Sequence, residues 1–146
     1  MASGETGRAV VLRGHKDEVY SAAFSRDGKF IVTASDDGTA AVWPVDGGRP
    51  PVVLGGHMSD VRSAMFSADG TKVVTASDDG TTRIWRSDGQ EPPLVLGLHG
   101  TDVRGAAFSS DGERVATGDA NGVLRVWRLD DPTEAERVLR GAPSGN

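Results

Sequence analysis

The chain has no cysteine, a single tyrosine and only three lysines among its 146 residues, and aromatic side chains make up 5% of it. Without thiols there is neither a disulfide framework nor a thiolate metal site. A net charge of -5, with both signs interspersed, argues against a nucleic-acid or anionic-membrane surface, because each needs a cationic footprint. No apolar run exceeds a few residues, Ala9 to Leu12 being typical, so no segment is long enough to span a bilayer. The opening MASGETGRAV lacks a basic stretch followed by an apolar one, so it is not expected to be a secretory leader. Helical periodicity is absent, and turn residues recur too often for long helices. The expected class is a soluble, cytoplasmic, all-β chain. The use of arginine over lysine (only Lys16, Lys29 and Lys72) hints at a GC-rich bacterial source.

What the chain does have is a repeat. Thr33 to Trp43 reads TASDDGTAAVW, Thr75 to Trp85 reads TASDDGTTRIW, and Thr117 to Trp127 reads TGDANGVLRVW, each 42 positions after the last. His15, His57 and His99 keep the same spacing, as do Val19, Val61 and Val103, and Phe24, Phe66 and Phe108. A period in the forties points to solenoids or propeller blades. Each copy divides into four short runs. In the middle copy these are Val52 to Leu54, Val61 to Phe66, Lys72 to Ala76 and Thr81 to Trp85, separated by Asp69-Gly70 and Asp79-Gly80. Asp-Gly supplies the positive φ of a tight hairpin, and the β-branched runs suit strands. The unit is therefore a four-stranded antiparallel sheet.

The elements Gly14-His15, Gly56-His57, the Ala23-Phe24-Ser25-x-Asp27-Gly28 run, and Thr33-Ala34-Ser35-x-Asp37-Gly38 ending at Trp43 resemble the WD-repeat β-propeller family, from about Ala9 to Arg140. The resemblance implies three propeller blades at 15–54, 57–96 and 99–140, in a partial or oligomer-completed propeller. It leaves an extra outer strand at 9–14 and flexible ends at 1–8 and 141–146. It also implies a buried hydrogen-bonded tetrad in each blade: His15, Thr33, Asp37 and Trp43; His57, Thr75, Asp79 and Trp85; His99, Thr117, Asn121 and Trp127. A carboxylate that accepts from one imidazole nitrogen fixes the tautomer, while a hydroxyl and an indole N–H supply further partners. Three departures stand out. Asn121 replaces an aspartate, Leu98 replaces the glycine before His99, and Pro44, Arg86 and Arg128 stand where the family has Asp after its Trp. The third blade is expected to be the weakest.

Read for chemistry, the chain is sparse. The histidines are spread one per blade with no metal-ligand spacing, the Asp-Asp-Gly runs read as hairpins, and no nucleophile elbow or phosphate loop is present. The phenylalanines at 24, 66 and 108 are expected in the core. No enzyme, metal or cofactor is expected. The resemblance implies a scaffold that binds proteins or peptides on the face carrying the His loops. The positions pointing there are Glu18, Tyr20 and Asp36; Asp60, Arg62 and Asp78; Asp102, Arg104 and Ala120. Their acids favour a partner of some basic character, although Arg62 and Arg104 could simply pair with neighbouring aspartates. Three blades leave two sheet faces uncovered, which calls for further blades in a parent chain or for self-association as a dimer or trimer. A structural self-assembling repeat and a regulatory module of a larger bacterial signalling protein are the alternative readings.

Overall fold

In a computed structural model the described residues are 9–97 and 99–141, and they contain twelve strands and no helix. The first sheet is β1 (Val19–Phe24), β2 (Phe30–Ser35), β3 (Thr39–Pro44) and β4 (Val52–Gly55). The second is β5 (Val61–Phe66), β6 (Lys72–Ser77), β7 (Thr82–Arg86) and β8 (Leu94–Leu96); the third is β9 (Val103–Phe108), β10 (Arg114–Asp119), β11 (Val123–Arg128) and β12 (Arg137–Arg140). Each sheet pairs its strands antiparallel in chain order, which two tight hairpins per repeat enforce, all Asp-Gly except Asn121-Gly122 in the third.

The turns hold themselves closed. Ser25 donates to Asp27, whose carboxylate also accepts the Lys29 amide, and Ser67/Asp69 and Ser109/Asp111 repeat the arrangement. At the second hairpin Gly38, Gly80 and Gly122 take φ of 87°, 84° and 79°, a region costly for residues with a Cβ.

The sheets pack face to face in chain order. One core joins the first two sheets through Val32, Ala40, Val42 and Leu54 against Val61, Ala64, Val73 and Trp85. A second joins the next pair through Val74, Ile84 and Leu96 against Val103, Ala106, Val115 and Trp127. A side chain thus reaches the core only when a neighbouring sheet covers it. Phe66 and Phe108 pack against these cores, but Phe24 is 66% exposed, because no sheet among the described residues covers that face of the first. The expected burial of Phe24 is corrected for that reason.

The extra outer strand expected at 9–14 is also corrected. Residues 9–15 form no strand, and Val10 and Val11 are exposed. A strand needs an edge to pair with, and the edge that would suit this one, beside β11, is taken by β12 (Arg137–Arg140). The expected flexible ends at 1–8 and 141–146, apart from Gly141, and the Leu98 departure, lie outside the described residues.

Candidate protein-interaction face

Each blade carries a polar network that ties its His loop to its second hairpin. In the first blade the Asp37 carboxylate sits 2.9 Å from His15 Nδ1 and accepts the Lys16 amide, the Thr39 amide and the Thr39 hydroxyl. A carboxylate only accepts, so Nδ1 carries the proton and Nε2 is left to accept from the Thr33 hydroxyl. The Thr33 oxygen in turn accepts the Trp43 indole N–H at 2.8 Å. A directional chain runs from indole to hydroxyl to imidazole to carboxylate. The second blade repeats it: Trp85 to Thr75 at 2.8 Å, Thr75 to His57 Nε2 at 2.7 Å, and His57 Nδ1 to Asp79 at 2.9 Å.

Burial raises the carboxyl pKa of Asp37 and Asp79, but hydrogen bonds outweigh it. Those from Thr39, the Lys16 amide and His15 hold Asp37 well below the usual carboxylate range. Thr81, the Met58 amide and His57 do the same for Asp79. Desolvation pushes His57 below the ordinary imidazole value despite Asp79. The indole needs a small neighbour. A Cβ at Gly14 would lie 3.0 Å from Trp43, and in the third blade one at Gly97 would lie 2.9 Å from Trp127.

The third blade is wired differently, and the placement of Asn121 in its network is corrected. The Asn121 side chain is exposed and makes no side-chain hydrogen bond to another described residue. Asp119, fully buried at its side chain, takes over. It accepts the amides of Asn121 and Val123 and the Arg125 guanidinium at 2.8 Å. Arg125 also donates to His99 Nδ1 at 2.8 Å, while Asp119 stays 3.8 Å from that nitrogen. Because arginine only donates, His99 Nδ1 accepts and the proton moves to Nε2, the opposite tautomer. That Nε2 is buried with no partner among the described residues. Burial and then the Arg125 charge push His99 below the usual imidazole pKa. The physical reason is local. Val123 stands where Thr39 and Thr81 supply the hydroxyl that orients the hairpin aspartate, and Asp119 stands where Ser35 and Ser77 sit. Trp127 still donates to Thr117, at a longer 3.1 Å.

Above these networks lies the rim formed by the His loops and hairpins. The amides of Asp36, Asp78 and Ala120 bond to the carbonyls of Glu18, Asp60 and Asp102, which sets the paired positions of each blade side by side. At the junction of the first two blades five predicted residues converge: Tyr20, Asp36, Asp60, Arg62 and Asp78. The Tyr20 hydroxyl donates to Asp60 at 3.1 Å, and the Arg62 guanidinium lies 4.5 Å over the Tyr20 ring. Arg62 also forks onto Asp78 at 2.7–3.0 Å. Asp36 is the crowded member. The Asp60 carboxyl beside it, desolvation, and the charges of Asp60, Asp17 and Glu18 push it up to about 6. Asp60 is held low by the same pairing, with Tyr20 and Arg62 outweighing desolvation. Glu18 and Ala120 are exposed, and Arg104 pairs with Asp102 at 3.3 Å and with no other carboxylate among the described residues. Asp119, Arg125, Thr39 and Thr81 were not singled out from sequence. Comparing the copies marks Asp119 as a departure from Ser35 and Ser77 and the threonines as shared by the first two blades, whereas Arg125 matches Arg83 and differs only from Ala41.

The family model described as "WD domain, G-beta repeat" matches residues 8–44, 48–86 and 90–128. The chain belongs to the WD40 repeat family. Families of WD40 propellers are generally non-enzymatic interaction scaffolds, and this WD40 chain has no group of three or more His, Asp or Glu placed to hold a metal among its described residues. Among curated proteins it is similar to "Ribosome biogenesis protein erb1" of Aspergillus clavatus, 48% identical over 44 residues, which is 30% of this chain and 6% of that protein. Among solved structures it is similar to "Structure of U3-55K" and "Crystal structure of RRP9 WD40 repeats". Each has a TM-score of 0.82 at 23% identity, covering 90% of this chain and 42% or 41% of theirs. These likenesses concern the fold. The chain spans well under half the length of those structures. The bacterial source expected from arginine usage is corrected, since the curated relative is eukaryotic. Arginine has a structural use here: Arg62, Arg86, Arg114, Arg125 and Arg128 all contact carboxylates, and the contacts of Arg62, Arg86 and Arg128 exploit the planar guanidinium fork.

Proposed function

We propose that the chain is a non-enzymatic interaction scaffold that binds a basic protein segment on the His-loop rim. The observation that carries this reading is the Tyr20–Asp36–Asp60–Arg62 cluster at the first blade junction. It offers a half-exposed aromatic ring beside two carboxyls crowded enough to share a proton near pH 6. A lysine or arginine side chain relieves that crowding by replacing the proton with a cation, beside the Tyr20 ring on which Arg62 already stacks. Tyrosine and arginine are also the residue types enriched where binding energy concentrates. The erb1 match has about the length of one repeat, so it supports the repeat and does not transfer that protein's role.

The test is isothermal titration with Lys/Arg-rich peptides against wild type, Asp36→Asn/Asp60→Asn and Tyr20→Ala. The expected result is micromolar binding that weakens roughly tenfold in each variant, about 1.4 kcal/mol. Equal binding by all three proteins would exclude this cluster as the site.

A further inference from the structure

Every blade has two unlike faces. The front carries Val19, Ala22 and Ile31 in the first blade, and the residues 42 and 84 later in the others; the back carries Ala40, Val42 and Leu54 and their counterparts. At both internal junctions a back packs on the next front. Val61 and Val103 are accordingly fully buried, whereas Val19 is 50% exposed. At the other end Leu54 and Leu96 are buried, whereas Leu139, which holds their place opposite Leu124, is 48% exposed. Among the described residues one front and one back are bare, the same two kinds of surface that join the chain's own blades. A groove of about 640 Å3 opens over the bare front, with Val19, Ala22 and Ile31 in its lining.

We propose that the bare back of the third blade docks on the bare front of the first blade of a second copy, so that two chains close one six-blade ring. This goes beyond binding at the His-loop rim and does not depend on it. The rim residues favour a second copy as the occupant. At the first junction Tyr20, from the blade that gives its back, meets Asp60 and Arg62 of the blade that gives its front. Carrying that geometry two repeats on brings Arg104 to the place of Tyr20, and Glu18 and Tyr20 of the second copy to the places of Asp60 and Arg62. Cation, anion and aromatic ring recur with their partners exchanged: Arg104 meets a carboxylate and a ring. In the single chain Arg104 has only its weak contact with Asp102, and the Glu18 side chain has no ion pair among the described residues. Ala120 replaces Asp36 at the new junction, so the acid that crowds Asp60 has no counterpart there.

The apolar surface is preserved too. Ala116 and Gly118 are smaller than Val74 and Ala76, but Leu124 is larger than Thr82, which restores bulk to the bare back. The contact is heterologous, and such contacts form rings only when the rotation closes. Propellers hold typically four to eight blades; two copies supply six and three would exceed the range.

Sedimentation equilibrium with light scattering at micromolar concentration tests this. The expected mass is twice 15.2 kDa. Leu124→Asp and Val19→Asp change exposed side chains, so each should give a folded monomer with an unaltered circular dichroism spectrum. Arg104→Glu or Glu18→Arg alone should raise the dimer Kd by roughly tenfold or more, and the double exchange should return it to within about threefold. A monomeric wild type, as expected if further blades of a longer polypeptide are the natural occupants, overturns the proposal. So does a three-chain mass, a dimer indifferent to Leu124→Asp, or a double exchange without rescue.

Discussion

Removing the Trp85 side chain should cost about 3–5 kcal/mol, the range for deleting a large buried ring. Trp85 is 5% exposed, lies in the core between the first two blades, and meets the His57 ring edge-on at 6.2 Å between centroids. A buried indole removes about 150–250 Å2 from water, worth roughly 4–6 kcal/mol at 25 cal/mol per Å2 before chain ordering is counted. Trp85→Phe separates two effects. It keeps most of the ring but removes the N–H that Thr75 accepts, so its cost should be nearer 1–2 kcal/mol, one neutral hydrogen bond plus a small void. Urea unfolding followed by circular dichroism, at fixed protein concentration, reads both differences. A loss below about 1 kcal/mol for Trp85→Ala would place this ring at the surface and refute the packing of the second blade.

Acid should destabilise the fold in two stages. His57 and His99 are depressed by burial, so as pH falls through about 6.5 the unfolded chain takes up protons first and stability is lost from there downward. Asp37 and Asp79 are held low by their hydrogen bonds, so their contribution is full above about 4 and lost below it. Asp36, pushed up to about 6, acts in the opposite sense and partly offsets the first stage between about 4 and 6. Urea midpoints at pH 8, 5 and 3 should therefore decline, most steeply in the last interval; a midpoint that rises toward pH 3 would contradict the assignment. Hydrogen exchange should find the amides of β9 to β11 less protected than those of β5 to β7, because the third network leaves His99 Nε2 without a partner among the described residues. Equal protection would show that the rewiring costs nothing.

The repeat made most of this architecture readable. The strand pattern and the hairpin glycines follow from a 42-residue period and the chemistry of tight turns, and the His, Thr and Trp sets from the resemblance to WD repeats. What was not readable depends on neighbours. Phe24 matches Phe66 in sequence, yet one is exposed and the other covered, because burial here belongs to the junction rather than to the repeat. Residues 9–12 have the pattern of a strand, yet pairing requires an edge that β12 already occupies. The third network failed for a subtler reason. The identity of position 121 does not decide the outcome, which is set by Val123, which lacks a hydroxyl, and by Asp119, which captures the Val123 amide from two residues before the hairpin position. On the rim, Arg62 pairs with Asp78, as the plainer reading allowed, but it also stacks on Tyr20 from the preceding blade, a contact invisible within one repeat.

The central claim is that the repeated His–Asp pairs are structural staples, two alike and the third rewired. Long-range nitrogen-15 correlation spectroscopy of the three histidines at neutral pH tests it most directly. His15 and His57 should each appear as a single tautomer protonated at Nδ1, and His99 as the opposite tautomer, protonated at Nε2. Three rings averaging rapidly between tautomers would place them in solvent, and three identical fixed tautomers would contradict the Asp119–Arg125 substitution in the third blade.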